Sequence, residues 1–313
     1  MITSDLGLYL AAVLIWGSTW LAITFQLGRV PAEVSVAYRF ALASVILFAW
    51  CALRRLRVGF PWRDHGWMAL QGALLFGLNY VCVYLAEAEI SSGLVAVIFS
   101  LIVFLNIAGT RLFFATPLKP AMVIGALLGV GGVALVFLPE LGHVSGKGRP
   151  LVGLTYALVA TVSASLGNLV AVRNQRRGLP VIQLNAYGML YGATLVAVYS
   201  VLRDRPFIFE WSAGYVLSLV YLALFGSVLA FGAYLTLVGR IGADRAGYAA
   251  AAIPVVALLL STLFEGLRWQ VYTALGILCC VGGNLLVLRR KGQTAGRGAV
   301  VRTGADTAAR PPR

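Results

Sequence analysis

Acidic residues are scarce in this chain. Eleven Asp and Glu stand against 25 Lys and Arg in 313 residues, and charged residues make up only 12%. A soluble domain carries about 25% charge and about 45–50% apolar residues. Here 60% are hydrophobic and mean hydropathy is +0.88, so the surplus must face something other than water. Histidine is rarer still: His65 and His143 are expected in loops, far apart, which leaves no ligand cluster for zinc or iron. The four cysteines, Cys51, Cys82, Cys279 and Cys280, form no CxxC pair and read as small apolar packing residues rather than disulfides or metal ligands. No HExxH or GxSxG pattern or clustered acids and bases point to an enzyme. No GxxxxGK[ST] loop exists to hold a nucleotide, and no ring of charges suggests a channel filter. No cofactor is expected. No basic residue precedes the first apolar run and no small-residue cleavage site follows it, so the first helix is expected to stay in the protein.

Long apolar runs are what the chain has instead. Most are about 18–22 residues, the length of a helix crossing roughly 30 Å of hydrocarbon. Alternating ten-residue patterns of a membrane barrel are absent. The fold class is therefore all-α, a polytopic membrane protein. The spans are expected at Leu6–Leu27, Val34–Leu53, Trp67–Ala86, Ser92–Phe113 and Ala121–Leu138. Five more are expected at Leu151–Val172, Leu184–Leu202, Ala213–Val238, Ala246–Phe264 and Val271–Leu288, making ten transmembrane helices.

The net charge of +14 would suggest nucleic acid in a soluble chain, but no nucleic-acid reading module is present. The basic residues lie mostly in short loops and the tail, where they set orientation and meet anionic lipid. Eighteen Lys and Arg, seven of them in the tail, fall on one side of the alternating spans and six on the other, with Arg39 inside a span. This predicts cytoplasmic amino and carboxyl ends in a cell inner membrane.

The chain repeats itself. The stretch 78–114 returns as 231–269: a Tyr-bearing apolar run, a short polar link (Ile90-Ser91-Ser92; Ile241-Gly242-Ala243) and a second run of small residues. Pro31 matches Pro180 and Ala37-Tyr38 matches Ala186-Tyr187, both at an offset of 149. Gly125, Gly131 and Gly132 match Gly276, Gly282 and Gly283 at an offset of 151. A unit of five helices enters the membrane from opposite sides in its two copies, which makes an inverted repeat of the kind secondary transporters use. The expected division is 1–142 for the first five-helix unit, 143–150 for a loop, 151–291 for the second unit and 292–313 for a disordered basic tail.

These features resemble the drug/metabolite transporter superfamily, in particular its EamA-type ten-helix exporters. The resemblance is carried by Trp16-Gly17-Ser18-Thr19-Trp20, Arg39-Phe40, Ile253-Pro254-Val255 and the twin Gly-x5-Gly-Gly patterns, and spans all but the tail. The chain departs from the family pattern at Ile102, where proline is frequent, and at Phe114, where an acidic residue often closes the fourth helix. The second copy keeps both features, as Pro254 and Glu265. The resemblance implies export of small metabolites, amino acids (aromatic ones included) or drugs. It places helices one, three, four, six, eight and nine around a central cavity.

Several residues are candidates for the substrate pathway. Trp16 and Trp20 share a face of the first helix and suit either stacking on a solute or an interfacial belt. Tyr80, Tyr84 and Glu87 form a stripe at i, i+4, i+7, with Asn79 beside it as a solute contact or interhelical bond. Ser165 and Asn168 are small polar residues of the sixth helix, and Ser227, Phe231 and Tyr234 line a stripe on the eighth. Tyr248 and Pro254 mark the ninth, where proline frees a carbonyl.

Arg39, Glu87 and Glu89 are the candidates for gating or coupling. Arg39 either snorkels to the interface, with Glu33 or Glu89 as partner, or acts within the pathway. Glu87 and Glu89 are expected at the surface, solvated, with a proton-sensitive gate as the alternative; on that placement coupling is weak or transport is facilitated diffusion. The partners expected are a small-molecule substrate and anionic lipid at the cytoplasmic face, and the protein is a monomer or a homodimer. A membrane-embedded enzyme or lipid-handling protein is the alternative function.

Overall fold

The computed structural model describes residues 4–115, 120–142, 149–241, 248–267 and 269–303. Every regular element among them is helical. In chain order these are α1 (Asp5–Thr24), α2 (Ala32–Leu53), α3 (Trp62–Glu87), α4 (Ser92–Phe99) and α5 (Ile102–Phe114). Then come α6 (Pro120–Gly142), α7 (Pro150–Arg176), α8 (Val181–Leu202), α9 (213–241), α10 (Tyr248–Phe264) and α11 (Val271–Thr303). Among the described residues seven helical stretches are long and apolar enough to cross a membrane, the last being Ala213–Tyr234. Pro120–Val136, Ala251–Phe264 and Val271–Val287 are apolar but shorter among the described residues. Leu127, Leu217, Leu263 and Leu278 are 68–75% exposed, a surface that hydrocarbon covers and water would not.

Local chemistry sets the helix starts. Pro31 and Pro180 stand just before α2 and α8 with extended ψ of 141° each. Ser4 and Ser212 cap α1 and α9 by accepting from the backbone N–H groups of Gly7 and Tyr215. Both α3 and α9 contain a wide π turn, Ala73–Leu78 and Leu222–Leu229. There the Asn79 and Ala230 N–H groups donate five residues back, to Leu74 and Phe225. Left-handed backbone occurs at Gly28, Arg55 and Ala115 and, among the later described residues, at Gly178, Asp204 and Gly266.

Close backbone approach governs the packing. Without a hydrophobic driving force between helices in lipid, small residues that let backbones touch supply the contact. α6 and α11 run antiparallel: a Cβ added at Gly132 would stand 2.5 Å from the Gly276 carbonyl oxygen, and one at Gly283 would stand 2.6 Å from that of Gly125. Gly131 and Gly282, one residue aside in each motif, face open space. Gly72 of α3 lies against Gly188 and Gly192 of α8 in the same way. α3 also packs along α7, and α1 along α9 and α10. The main core runs through α2, α3, α4 and α8.

One expectation is corrected. His65 lies on α3 rather than in a loop, with Nδ1 2.7 Å from the Tyr191 hydroxyl, because α3 begins at Trp62; His143 falls outside the described residues. The expected span Ser92–Phe113 is present; within it, at Ser100 and Leu101, the Ser100 hydroxyl donates to the Val97 carbonyl and the backbone tightens to three-residue bonds. α11 continues to Thr303.

Gly276→Leu is expected to cost about 1–3 kcal/mol through overpacking, read as a lower Tm in detergent. Gly282→Leu should leave Tm nearly unchanged, since nothing lies within 4 Å of its added Cβ.

Candidate functional site

Two groups of predicted pathway residues converge, one on α1 and one on α3. Trp16 is half-buried, and its indole N–H donates to the Gly226 carbonyl in the π turn of α9 at 3.1 Å. Its ring meets Phe231 edge-on at 5.1 Å and Tyr234 at 5.3 Å. One turn on, Trp20 meets Phe99 of α4 at 5.3 Å. Ser18 reaches the Tyr221 hydroxyl at 2.7 Å. Both tryptophans therefore face protein. The rings close on one another in this conformation, so they line a contact rather than an open cavity. An open cleft of about 460 Å³ lies elsewhere, at Arg29 and Ile208–Ser212.

On α3 the residues of the expected stripe meet α1–α2 side chains. Tyr80 packs against Phe40 at 4.7 Å, and the Arg39 guanidinium lies over the Tyr80 and Phe40 rings at 4.6 and 5.1 Å. Tyr84 is fully buried and donates to Gln26 at 2.8 Å. Asn79 is buried, its amide N–H bonded to the Leu75 carbonyl and its Oδ1 without a partner.

Arg39 does not snorkel: it is 1% exposed, held inward by two aromatic faces. Nor does it pair with Glu33, which meets Arg205 at 3.6 Å, or with Glu89, which meets Arg149 at 3.0 Å. Glu87 is not solvated either. It is 7% exposed, carried inward on the face that bears the buried Tyr84, and neither carboxylate oxygen has a hydrogen-bond partner. Glu89 does lie at the surface, where the Arg149 guanidinium and backbone N–H hold its carboxyl below the usual range.

Ser165 is buried and Asn168 half-buried on α7, but the residue that reaches across is Ser163, which donates to the Leu74 carbonyl in the π turn of α3 at 2.8 Å. Pro254 is buried within α10, close to where Gly17 of α1 meets Val256 and the Ile253 carbonyl. Tyr248 begins α10, and its side chain lies outside the described residues.

Sequence reasoning missed Gln26, Ser163 and the two π turns. The turns did leave a signal: Leu75-Phe76-Gly77 returns as Leu224-Phe225-Gly226 at the same offset of 149. Gln26 left none. Glu265, noted only as a closing acid, accepts from the backbone N–H (3.2 Å) and hydroxyl of Ser92, tying the end of α10 to the start of α4.

Comparison with known proteins adds a second line of support. The model of the EamA-like transporter family matches twice, over residues 4–138 and 151–289. The chain is 30% identical over 276 residues to the uncharacterized inner membrane transporter YedA of Escherichia coli K12, covering 87% of each chain. It is 23% identical over 284 residues to the uncharacterized transporter YoaV of Bacillus subtilis, covering 90% of this chain and 95% of that one. A crystal structure 22% identical in sequence superposes with a TM-score of 0.66 over 90% of this chain and 96% of the other, a likeness of fold.

The Glu89–Arg149 pair generates a pH prediction. A carboxyl lowered by folding adds stability above its unfolded value of about 4.3 and loses it as pH falls through the lowered folded value. A double-mutant cycle with Glu89→Gln and Arg149→Gln, read by thermal unfolding, should show a small coupling at pH 7. That coupling should vanish once the pH is below the folded value and shrink in high salt.

Proposed function

The chain belongs to the EamA-like transporter family, a multi-pass inner membrane protein, and from that premise we propose that it exports small amphipathic metabolites as a secondary transporter. Amino acids, aromatic ones included, and organic cations are the solute classes its ring-rich interior suits. The observation that carries the transport reading is the double family match, with an inner membrane transporter 30% identical along most of the chain. Family and relatives point to transport rather than catalysis.

The mechanism in this reading is alternating access by two inverted five-helix units of a ten-span chain, with both ends in the cytoplasm. Four features support that duplication. The left-handed residues pair across the halves as Gly28 with Gly178, Arg55 with Asp204 and Ala115 with Gly266, at offsets of 150, 149 and 151. The π turns start at Ala73 and Leu222, again 149 apart. Exchanging the halves converts the Gly125–Gly283 contact into Gly276–Gly132, the other contact of the same crossing. Each π turn also uses a carbonyl to hold the first helix of the other half, Gly226 with Trp16 and Leu74 with Ser163.

Trp16, Trp20, Phe231 and Tyr234 then form one wall of the pathway, and Asn79, Tyr80 and Tyr84 the other. Ser165, Asn168, Tyr248 and Pro254 complete it. The rings that touch here part when the units rock, and a planar or cationic solute takes their place.

A liposome efflux screen over amino acids and organic cations tests this. Purified protein should move at least one class, and Trp16→Ala or Tyr80→Ala should change the preference among solutes that are moved. Absence of flux for every solute, or identical selectivity in both variants, overturns the assignment.

A further inference from the structure

We propose that Glu87 is a proton-binding site through which the charge state of one end of the bundle is set. The use of that site in coupling rests on the transport reading above; the site itself does not. Placing Glu87 at the surface is what made weak coupling the sequence expectation, and its burial removes that ground.

At this end of the bundle three acidic side chains are engaged. Glu33, at the start of α2, holds Arg205; Glu89 holds Arg149, which leads into α7; Glu265, after α10, accepts from Ser92. Tyr84, one turn before Glu87 on α3, is engaged with Gln26 of the α1–α2 link. Of the buried charged side chains described, Arg39 and Glu87 keep polar atoms without partners. Arg39 has Nε and Nη1 without an acceptor, and Glu87 has both oxygens without a donor. Each is more than nine-tenths buried, and the two are neighbours without forming an ion pair. The other charge facing Glu87 is Glu265, of the same sign.

An ionised carboxylate so placed costs several kcal/mol, and bonding a proton to one oxygen removes that cost. A calcium ion does not suit the position. Ca²⁺ takes six or more oxygens, as a rule, whereas no group of three or more His, Cys, Asp or Glu lies among the described residues and Arg39 repels a second cation. A proton needs no such shell.

A hydronium ion on the open side gives up a proton, its O–H bond breaking to leave water as a new O–H bond forms on one Glu87 oxygen; when the other side opens that bond breaks and the proton passes to a water molecule there, forming hydronium. With Glu87 ionised, Arg39 draws it in while Glu265 opposes it; with Glu87 neutral, Arg39 and Glu265 balance each other and nothing pulls on the α3 end. Proton occupancy thus biases which arrangement is lower in energy.

Infrared pH-difference spectroscopy on the full-length protein in lipid nanodiscs tests the site without a substrate. The carbonyl band of a protonated carboxyl should be present at neutral pH and titrate away in alkali. Glu87→Gln should lose it, while Glu89→Gln keeps it. If Glu87→Gln does not fold, two other variants decide. Arg39→Gln should move the titration up by about one pH unit or more, and Glu265→Gln should move it down. No band at neutral pH, a band that survives Glu87→Gln, or a midpoint unmoved by both neighbours overturns the proposal. Failure of the efflux screen alone would leave this outcome standing, and failure here would leave transport standing.

Discussion

Lipid offers helices no reason to associate through apolar surface alone, and the whole architecture answers to that constraint. Where helices must hold, their backbones touch. Gly125 and Gly132 meet Gly283 and Gly276 across α6 and α11, and Gly72 fits against Gly188 and Gly192 between α3 and α8. The glycines that face open space, Gly131 and Gly282, show that placement on the contact face, rather than glycine content, decides the crossing. Side-chain bonds across helices, such as Ser44 to the Ala186 carbonyl and Asn174 to Gln71, add direction to contacts that backbone proximity has already made.

Much of the fold was legible because hydrocarbon imposes a length and a composition on each span. The repeat was legible because Pro31 and Pro180, and the two glycine motifs, recur at nearly constant spacing. The aromatic stripes were legible too, since Trp16, Phe231 and Tyr234 need only helical periodicity to be put on defined faces. What periodicity cannot supply is what stands opposite a face. Glu87 read as a surface residue because it follows the end of its expected span, and Arg39, inside its span, was open to snorkelling because its stem is long. Neighbouring helices cover that end, so depth and burial part company there. Gln26 and Ser163 were invisible for the same reason: each matters through a partner far away in sequence.

The interior is thus divided by chemistry as well as by helix. Around Trp16 the contacts are rings and one carbonyl bond, which neighbouring rings can replace at modest cost. Around Arg39 the contacts involve full charges whose hydrogen-bonding capacity is incompletely used, so small displacements there change energy steeply. The first region tolerates shape; the second responds to charge.

The π turns have a further geometric consequence. An α-helix advances about 100° per residue, and a π turn holds one residue more than the regular spiral would. In α3 everything beyond Leu78 is therefore out of phase by roughly that angle with a wheel drawn from Trp62. Were Ala73–Leu78 regular, Tyr80, Tyr84 and Glu87 would rotate together away from the partners they meet here. One surplus residue, wound into the spiral a few turns earlier, sets what that charge faces.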